Sequence, residues 1–207
     1  MIEIILARHG KTENNELGIL QGTLDTKLNL EGLRDAKNLA KHLKKIYFDT
    51  VFSSDLLRAM QCSNEIIKYQ RNKKIIKEPL LRERFFGEHQ GVKITDLGYK
   101  DLSYPEMCKH LYECSCPNGE SNTDLVGRIN IFLDKLKKYD NEKILIVTHG
   151  GVVMLMLNQI LKEKIIFENA RKHKNGYVSY LKLDPELNVV NSLLNVHCSN
   201  LEKYIKN

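Results

Sequence analysis

The sequence predicts an α/β fold, a three-layer sandwich in which a mostly parallel central sheet carries helices on both faces. Apolar runs bounded by turn residues alternate along the chain with segments of 3.6-residue periodicity, which is the βαβ pattern. Two of these runs, Ile2 to Ala7 and Ile144 to Thr148, are apolar along almost their whole length, as strands buried on both faces are. The chain has 207 residues, 42% of them hydrophobic, so it can bury such a core.

The individual elements follow from short β-favouring runs and from helical periodicity. The strands are predicted, in chain order, at Ile2 to Ala7, Thr50 to Ser53, Ile75 to Lys77, Ile144 to Thr148, Tyr177 to Leu183 and Asn188 to Val196. The helices, each with one apolar face, are predicted at Leu30 to Lys45, Leu56 to Tyr69, Asn122 to Tyr139 and Val152 to Lys162. We expect Ser54 or Asp55 to cap the second helix, and Ser121 with Asp124 to form a capping box on the third.

One domain is predicted over residues 1–207, because no linker or low-complexity stretch interrupts the pattern. The pattern is weak only between Gly87 and Ser121, where glycines and prolines predict loops and short helices. We interpret about 88–121 as an insertion, and insertions in α/β folds commonly shape the substrate pocket.

Composition restricts the partners. The net charge of +6 comes from lysines spread along the chain, which argues against nucleic acid and favours small anionic substrates. No apolar run approaches the length of a membrane span, so no membrane partner is expected. Five cysteines without a disulfide-framework spacing predict free thiols and a cytoplasmic location. The oligomeric state stays open.

Two histidines stand at equivalent positions. The first strand runs into Arg8-His9-Gly10 and the fourth into Thr148-His149-Gly150. Ligands of parallel sheets bind at the carboxyl ends of the strands, so His9 and His149 meet over one pocket if their strands are neighbours. Glycine after each histidine lets backbone amides approach a bound anion.

Two further segments offer charged groups to such an anion. Arg58 falls in the first turn of the second helix, where it could bind phosphate oxygens together with Arg8, or it could be an ordinary solvated arginine. Glu83 lies between Arg82 and Arg84 in a segment predicted to be extended, so the arginines could anchor the segment while Glu83 faces the pocket. A plain surface carboxylate is the alternative for Glu83.

Five spaced segments carry a resemblance. They are Arg8-His9-Gly10-x-Thr12-x-x-Asn15 with Gln21-Gly22, Ser53-Ser54-Asp55-Leu56-x-Arg58-Ala59-x-Gln61, Leu81-x-Glu83-x-x-x-Gly87, Pro117-x-Gly119-Glu120-Ser121 and Val147-Thr148-His149-Gly150-Gly151. In this order, from about Ile2 to Leu161, the chain resembles the histidine phosphatase superfamily in its phosphoglycerate-mutase-like branch.

The resemblance implies roles for these residues. It implies that His9 attacks phosphorus, that Arg8, Arg58 and His149 bind the phosphoryl oxygens, and that Glu83 donates the proton. The positions that the resemblance and the glycine-rich turn assign to phosphate binding are Asn15, Gln21, Gly22 and Gly150. Two arginines and a histidine supply the charge that phosphoryl transfer needs, so neither a metal nor a cofactor is predicted.

The resemblance is to a metal-independent phosphatase acting on small phosphate monoesters, such as sugar phosphates. Glu88-His89-Gln90-Gly91 replaces the Trp-Glu-Gly common among phosphatases and is slightly mutase-like, so phosphoglycerate mutase is the nearest alternative. The insertion is short compared with the one mutases use, which favours hydrolysis. A non-catalytic phosphate-binding or scaffold domain is an alternative of another class. A metal site at Cys108, His110, Cys114 and Cys116 is disfavoured, since the paired Cys-x-x-Cys spacing is absent.

Overall fold

The computed structural model of this chain describes residues 1–71, 73–99, 101–103, 106–107, 110–111, 116–162 and 177–205. The strands in this part are β1 (Ile2–Arg8), β2 (Thr50–Ser53), β3 (Ile76–Lys77), β4 (Lys143–Thr148), β5 (Tyr177–Leu183) and β6 (Val189–His197). They form one sheet in the order β3-β2-β4-β1-β5-β6. The first four strands pair in parallel, whereas β5 pairs antiparallel with both β1 and β6. Every predicted strand is therefore confirmed.

The helices in the described ranges are α1 (Glu13–Leu17), α2 (Leu30–Leu43), α3 (Leu57–Ile67), α4 (Asn122–Leu136), α5 (Gly150–Leu161) and α6 (Cys198–Ile205). The four predicted helices are confirmed, and so is the capping box of Ser121 and Asp124 on α4. α5 begins at Gly150, directly after His149 and earlier than predicted. Sequence periodicity missed α1 and α6 because each is too short to display a repeated apolar face.

Side chains alternate across the sheet and build two cores. On β1, Ile4 and Leu6 pack on one face with α4 and α5, whereas Ile5 and Ala7 pack on the other face with α2, α3 and α6. The alternation follows from the two-residue period of a strand. The predicted three-layer sandwich is confirmed.

The predicted cap of α3 is wrong. The helix begins at Leu57, and neither Ser54 nor Asp55 accepts the bond that would cap it. The Leu57 amide instead donates to the Asp25 carboxylate over 2.6 Å. Asp55 pairs with Arg82, at 2.7 and 2.6 Å, because long-range partners compete successfully with a local cap.

The insertion has a small core of its own. Six side chains form it: Leu20, Phe86, Ile94, Met107, Leu111 and Cys116. At its base Gly87 has a φ of +53°, and a Cβ there would lie 2.0 Å from the Pro117 carbonyl oxygen. The two ends of the insertion therefore meet where only glycine fits. Residues 100, 104–105, 108–109 and 112–115 of the insertion lie outside the described residues.

No helix in the described ranges is long and apolar enough to cross a bilayer. Of the cysteines, the structure describes Cys62 and Cys198 as buried free thiols, and Cys116 is buried as well. The single domain over residues 1–207 and the cytoplasmic location stay predictions.

Candidate active site

The two histidines singled out in the sequence follow neighbouring strands. β1 and β4 pair in parallel, so His9 and His149 leave the sheet at the same edge. The His9 amide donates to the Thr148 carbonyl over 2.9 Å. The ring centroids lie 5.0 Å apart, with an angle of 63° between the planes. The prediction that the two imidazoles meet is confirmed.

The His9 imidazole is held in one tautomer. Its Nδ1 lies 2.6 Å from the Gly10 carbonyl oxygen, and because a carbonyl only accepts, Nδ1 carries the proton. Nε2 is then the atom with a lone pair, and it accepts from Arg58 Nε at 3.2 Å. Burial, followed by the guanidinium groups of Arg58 and Arg8, lowers the pKa of His9 well below its usual value of 6.5. The ring is therefore neutral at physiological pH, with Nε2 available as a nucleophile.

Arg58 is only 1% exposed, and main-chain oxygens fix its guanidinium. Nη2 donates to the Gly22 carbonyl and Nη1 to the Leu24 carbonyl, both at 2.7 Å. Burial lowers the pKa of Arg58 to about 10, while the nearby Glu83 carboxylate raises it. Arg58 thus keeps its charge at neutral pH and presents it beside His9.

His149 is fully buried and is oriented by Ser54. Its Nε2 lies 2.8 Å from the Ser54 hydroxyl, whereas Nδ1 has no hydrogen-bond partner among the described residues. Burial, then the charge of Arg58, lowers the pKa of His149 well below 6.5. An unpartnered buried ring nitrogen is costly, so Nδ1 is the atom that a bound ligand would satisfy.

Close packing explains why glycine follows each histidine, in addition to the predicted approach of backbone amides to an anion. A Cβ at Gly10 would lie 2.4 Å from the Gly32 carbonyl oxygen, and a Cβ at Gly150 would lie 3.3 Å from Cζ of Arg8. The start of α2 can therefore pack against Gly10 because Gly10 has no side chain. In the same way, Gly150 leaves room for the Arg8 guanidinium at the start of α5. The approach of their amides to an anion stays a prediction.

Three of the four residues predicted to line the phosphate site lie in α1 or in the loop after it, and the fourth, Gly150, begins α5. Asn15 is exposed and closes a capping box with Thr12. Gln21 is 7% exposed, and its Oε1 accepts from the hydroxyl groups of Thr12 and Thr26 at 2.9 and 2.5 Å. Gly22, at φ +52°, offers its carbonyl to Arg58 as described above. This loop therefore fixes Arg58, and its direct contact with phosphate stays a prediction.

Glu83 lies opposite the start of α5. One carboxylate oxygen accepts from the Gly151 amide at 3.2 Å and the other from the Arg84 amide at 3.0 Å. The segment is tied to β4, because the Thr148 hydroxyl donates to the Leu81 carbonyl at 2.7 Å. Glu83 is only 9% exposed, so the alternative of a plain surface carboxylate is wrong.

The flanking arginines anchor the segment, as expected, but through different partners. Arg84 is fully buried and donates from Nε to the Glu120 carbonyl at 2.6 Å. Arg82 lies at the surface in its ion pair with Asp55. 3-10 helices at Pro79–Leu81 and Gly87–His89 lie on either side of Glu83, so the extended conformation predicted for this segment is wrong at both places.

Two contributing residues, Ser54 and Arg128, received no role in the site from the sequence. Ser54 holds His149, and Arg128 donates from α4 to the carbonyls of Leu80 and Glu83. Arg128 had a recognisable signature, since it lies on the apolar face of α4, three residues after Leu125. A charge in such a stripe needs buried partners.

Among the residues that the structure describes, no three His, Cys, Asp or Glu side chains are arranged to hold a metal ion. Cys108 and Cys114, from the disfavoured metal site, lie outside them. Cys116 is buried in the core of the insertion.

Comparisons with known proteins agree with this geometry. A profile of the histidine phosphatase superfamily (branch 1) matches residues 4–196. A broad-specificity phosphatase of Saccharomyces cerevisiae is 34% identical over 184 residues, which are 84% of this chain and 74% of that protein. A metal-independent phosphoserine phosphatase of Arabidopsis thaliana is 31% identical, over 92% of this chain and 80% of its own.

A solved structure extends the agreement to the fold. The alpha-ribazole phosphatase of Shigella flexneri superposes with a TM-score of 0.76 at 25% identity, covering 94% of this chain and 96% of that one. The profile match spans nearly the whole chain and includes both histidines and Glu83. This chain therefore belongs to the histidine phosphatase superfamily, in its phosphoglycerate-mutase-like branch.

Proposed function

We propose that this chain is a metal-independent phosphatase that hydrolyses small phosphate monoesters through a phosphohistidine at His9. One observation carries the proposal: a neutral imidazole whose Nε2 lone pair lies 3.2 Å from the Arg58 guanidinium, beside the second imidazole. This arrangement pairs a nucleophile with the charge that a phosphoryl group requires.

In the first step Nε2 of His9 attacks phosphorus, and the ester P–O bond breaks. The guanidinium groups of Arg8 and Arg58, together with His149 Nδ1, stabilise the non-bridging oxygens. Glu83, as the general acid, gives a proton to the leaving oxygen, so the alcohol departs neutral. His149 can donate from Nδ1 if its Nε2 accepts from the Ser54 hydroxyl.

In the second step water attacks the phosphohistidine. The Glu83 carboxylate takes a proton from the water while the P–N bond breaks, and inorganic phosphate leaves. His9 returns to its starting form, so no external reductant, oxidant or cofactor is consumed. Asn15, Gln21, Gly22 and Gly150 stay the proposed lining of the phosphate site.

The trapping of the intermediate tests the nucleophile. The wild-type protein mixed with ³²P-labelled 4-nitrophenyl phosphate should yield an acid-labile, alkali-stable label on His9. His9→Ala should lose the label and lower turnover on the order of 10⁴-fold or more, since the nucleophile is removed. His42→Ala, at a histidine on α2 outside the site, should retain both. Near-normal turnover by His9→Ala would refute the assignment.

A second assay separates hydrolysis from phosphoryl transfer to a second hydroxyl. Phosphate release from serine and sugar phosphates is compared with interconversion of 2- and 3-phosphoglycerate in the presence of bisphosphate. Release without interconversion is expected, and it should persist in excess chelator because the arginines supply the charge. Faster interconversion than release would establish the mutase instead.

A further inference from the structure

Arg128 is a charged residue on the buried face of α4 that contacts the segment carrying Glu83. Its side chain is only 16% exposed, and main-chain carbonyls of that segment accept its hydrogen bonds. We propose that Arg128, together with Glu120, is a positioning residue that sets the place of the acid Glu83. The inference rests on the proposed function, because it assumes that Glu83 transfers the proton.

The guanidinium of Arg128 fixes the main chain at two points. Nη1 donates to the Leu80 carbonyl at 2.5 Å, and Nη2 donates to the Glu83 carbonyl at 3.1 Å. The two acceptors lie three residues apart, at the start and the functional end of the segment. One rigid planar group therefore sets the distance between them and the direction in which Glu83 leaves the chain.

Glu120 holds the guanidinium and adds contacts of its own. Its two carboxylate oxygens accept from Nε and Nη2 of Arg128 at 2.6 and 3.0 Å. The Phe85 amide donates to the same carboxylate at 3.1 Å, while the Glu120 amide donates to the Phe85 carbonyl at 2.7 Å. Bidentate charged pairs of this kind are strong and directional. The main chain is thus fixed on both sides of Glu83.

The carboxylate of Glu83 depends on this support. It is held by two amides, of Arg84 and of Gly151, and the second belongs to the start of α5 at 3.2 Å. A main-chain shift of about 1 Å would break that contact, and misplacements of this size cost on the order of 100-fold in rate. Loss of Arg128 should therefore impair proton transfer while leaving the His9 attack largely intact.

Lys135 provides a matched control on the same helix. It lies seven residues after Arg128 and pairs with Glu78 at 3.0 Å, just before the same segment. The Lys135 side chain is 47% exposed, so its ion pair contributes little. Lys135→Gln breaks a contact between α4 and this region without reaching Glu83.

The experiment compares two esters that differ in their need for an acid. 4-Nitrophenyl phosphate has a good leaving group, whereas glycerol 2-phosphate, an alkyl ester, needs a proton on its leaving oxygen. Arg128→Gln should lower kcat/KM, which reports the phosphorylation step before water enters, about 100-fold for the alkyl ester and by less than about threefold for the nitrophenyl ester. Arg128→Lys should recover part of the alkyl activity, and Lys135→Gln should leave both esters unchanged.

A double variant separates positioning from general damage. In a Glu83→Gln background the acid is already absent, so Arg128→Gln should cause no further loss with the alkyl ester. Equal loss for both esters, or an additive loss in the double variant, would overturn the proposal. If Arg128→Gln does not fold, Arg128→Lys answers the same question, because it keeps the charge and must still show the larger loss with the alkyl ester.

The same data distinguish this inference from the function on which it rests. If Glu83→Gln lowers kcat/KM equally for both esters, Glu83 is not the acid of the first step, and both the assignment and the inference fall. If Glu83→Gln discriminates between the esters but Arg128→Gln does not, only the positioning role fails.

Discussion

The two sides of the candidate site are held by different kinds of contact. The nucleophile side, made of His9, His149 and Arg58, follows strand ends whose main chains are locked in the sheet, for example by the bond from the His9 amide to Thr148. The acid side is the segment Pro79–Gly87 with Glu83. It lies outside the sheet and is fixed mainly by side chains from other elements.

This difference predicts how each side responds to substitution. Main-chain register survives most side-chain changes, so the nucleophile side should fail only when a reacting or phosphate-binding group is itself replaced. The acid side depends on Arg128 and Glu120, which touch no reacting atom, and should be sensitive to changes at a distance. The leaving-group dependence of kcat/KM, which reports the phosphorylation step, shows which side has been disturbed.

The largest expected effect in this comparison comes from Arg58→Lys. Lysine keeps the charge but cannot donate to Gly22, Leu24 and His9 at once. We expect kcat to fall about 100-fold for 4-nitrophenyl phosphate and glycerol 2-phosphate alike, since phosphate binding precedes any proton transfer. Steady-state kinetics with both esters measures it, and Arg128→Lys is the matched substitution on the acid side. A loss restricted to the alkyl ester would contradict the division into two sides.

The nucleophile side was accessible from sequence because its determinants are local. An apolar run ending in Arg8-His9-Gly10 and another ending in Thr148-His149-Gly150 are enough to place two imidazoles at one sheet edge, provided the strands are neighbours. Arg58 was placed by the start of a helix. Each conclusion needed only a short stretch of chain and the general behaviour of parallel sheets.

The supporting contacts could not be predicted in the same way. The cap of α3 comes from Asp25, more than thirty residues away, and the Ser54 hydroxyl contacts His149, 95 residues further along the chain. Glu83 is fixed by Arg128, whose partners lie on a loop whose conformation the periodicity does not define. Such pairings depend on the three-dimensional approach of distant segments, which a single sequence does not encode in any local pattern.

Thr148→Val removes a link between the two sides and should have a smaller effect. The Thr148 hydroxyl, at the end of β4, donates to the Leu81 carbonyl at 2.7 Å. Valine cannot donate, so the free energy of unfolding should fall by about 1–3 kcal/mol. Because Leu81 lies two residues before Glu83, kcat/KM for the alkyl ester should fall about tenfold, and kcat/KM for the nitrophenyl ester should change less.

Thermal unfolding and two-ester kinetics measure these changes. Thr50→Val is the control, since Thr50 donates to Glu142 at 2.6 Å at the start of β2, away from the strand ends that carry the site. The Thr50→Val variant can lose stability, but the ratio of its activity on the alkyl ester to its activity on the nitrophenyl ester should stay that of the wild type. A Thr148→Val variant with that ratio unchanged would show that β4 does not support the acid side.

The smallest expected effect is on the pH dependence of the free energy of unfolding, which should differ between the ionisable groups of the two sides. The pKa values of His9 and His149 lie below 6.5 in the folded protein, first because of burial. Below about pH 6.5 the unfolded chain therefore binds more protons at these rings than the folded chain, and the free energy of unfolding falls as the pH falls. On the acid side the Asp55 pKa is lowered from 3.8, chiefly by its hydrogen bond from Arg82. The stabilisation by that pair is full above pH 3.8 and is lost only as the pH falls through the lower, folded-state pKa.

Urea unfolding at a series of pH values tests whether the histidines and the Asp55–Arg82 pair affect stability in these two different pH ranges. His149→Asn should flatten the decline that begins near pH 6.5, because it removes a ring that is neutral only in the folded state. Asp55→Asn should leave that decline unchanged and alter stability only through a constant loss above pH 4. If His149→Asn leaves the slope between pH 6.5 and 5 as it is in the wild type, the imidazole is not buried in its neutral form, and the electrostatic account of the nucleophile side is wrong.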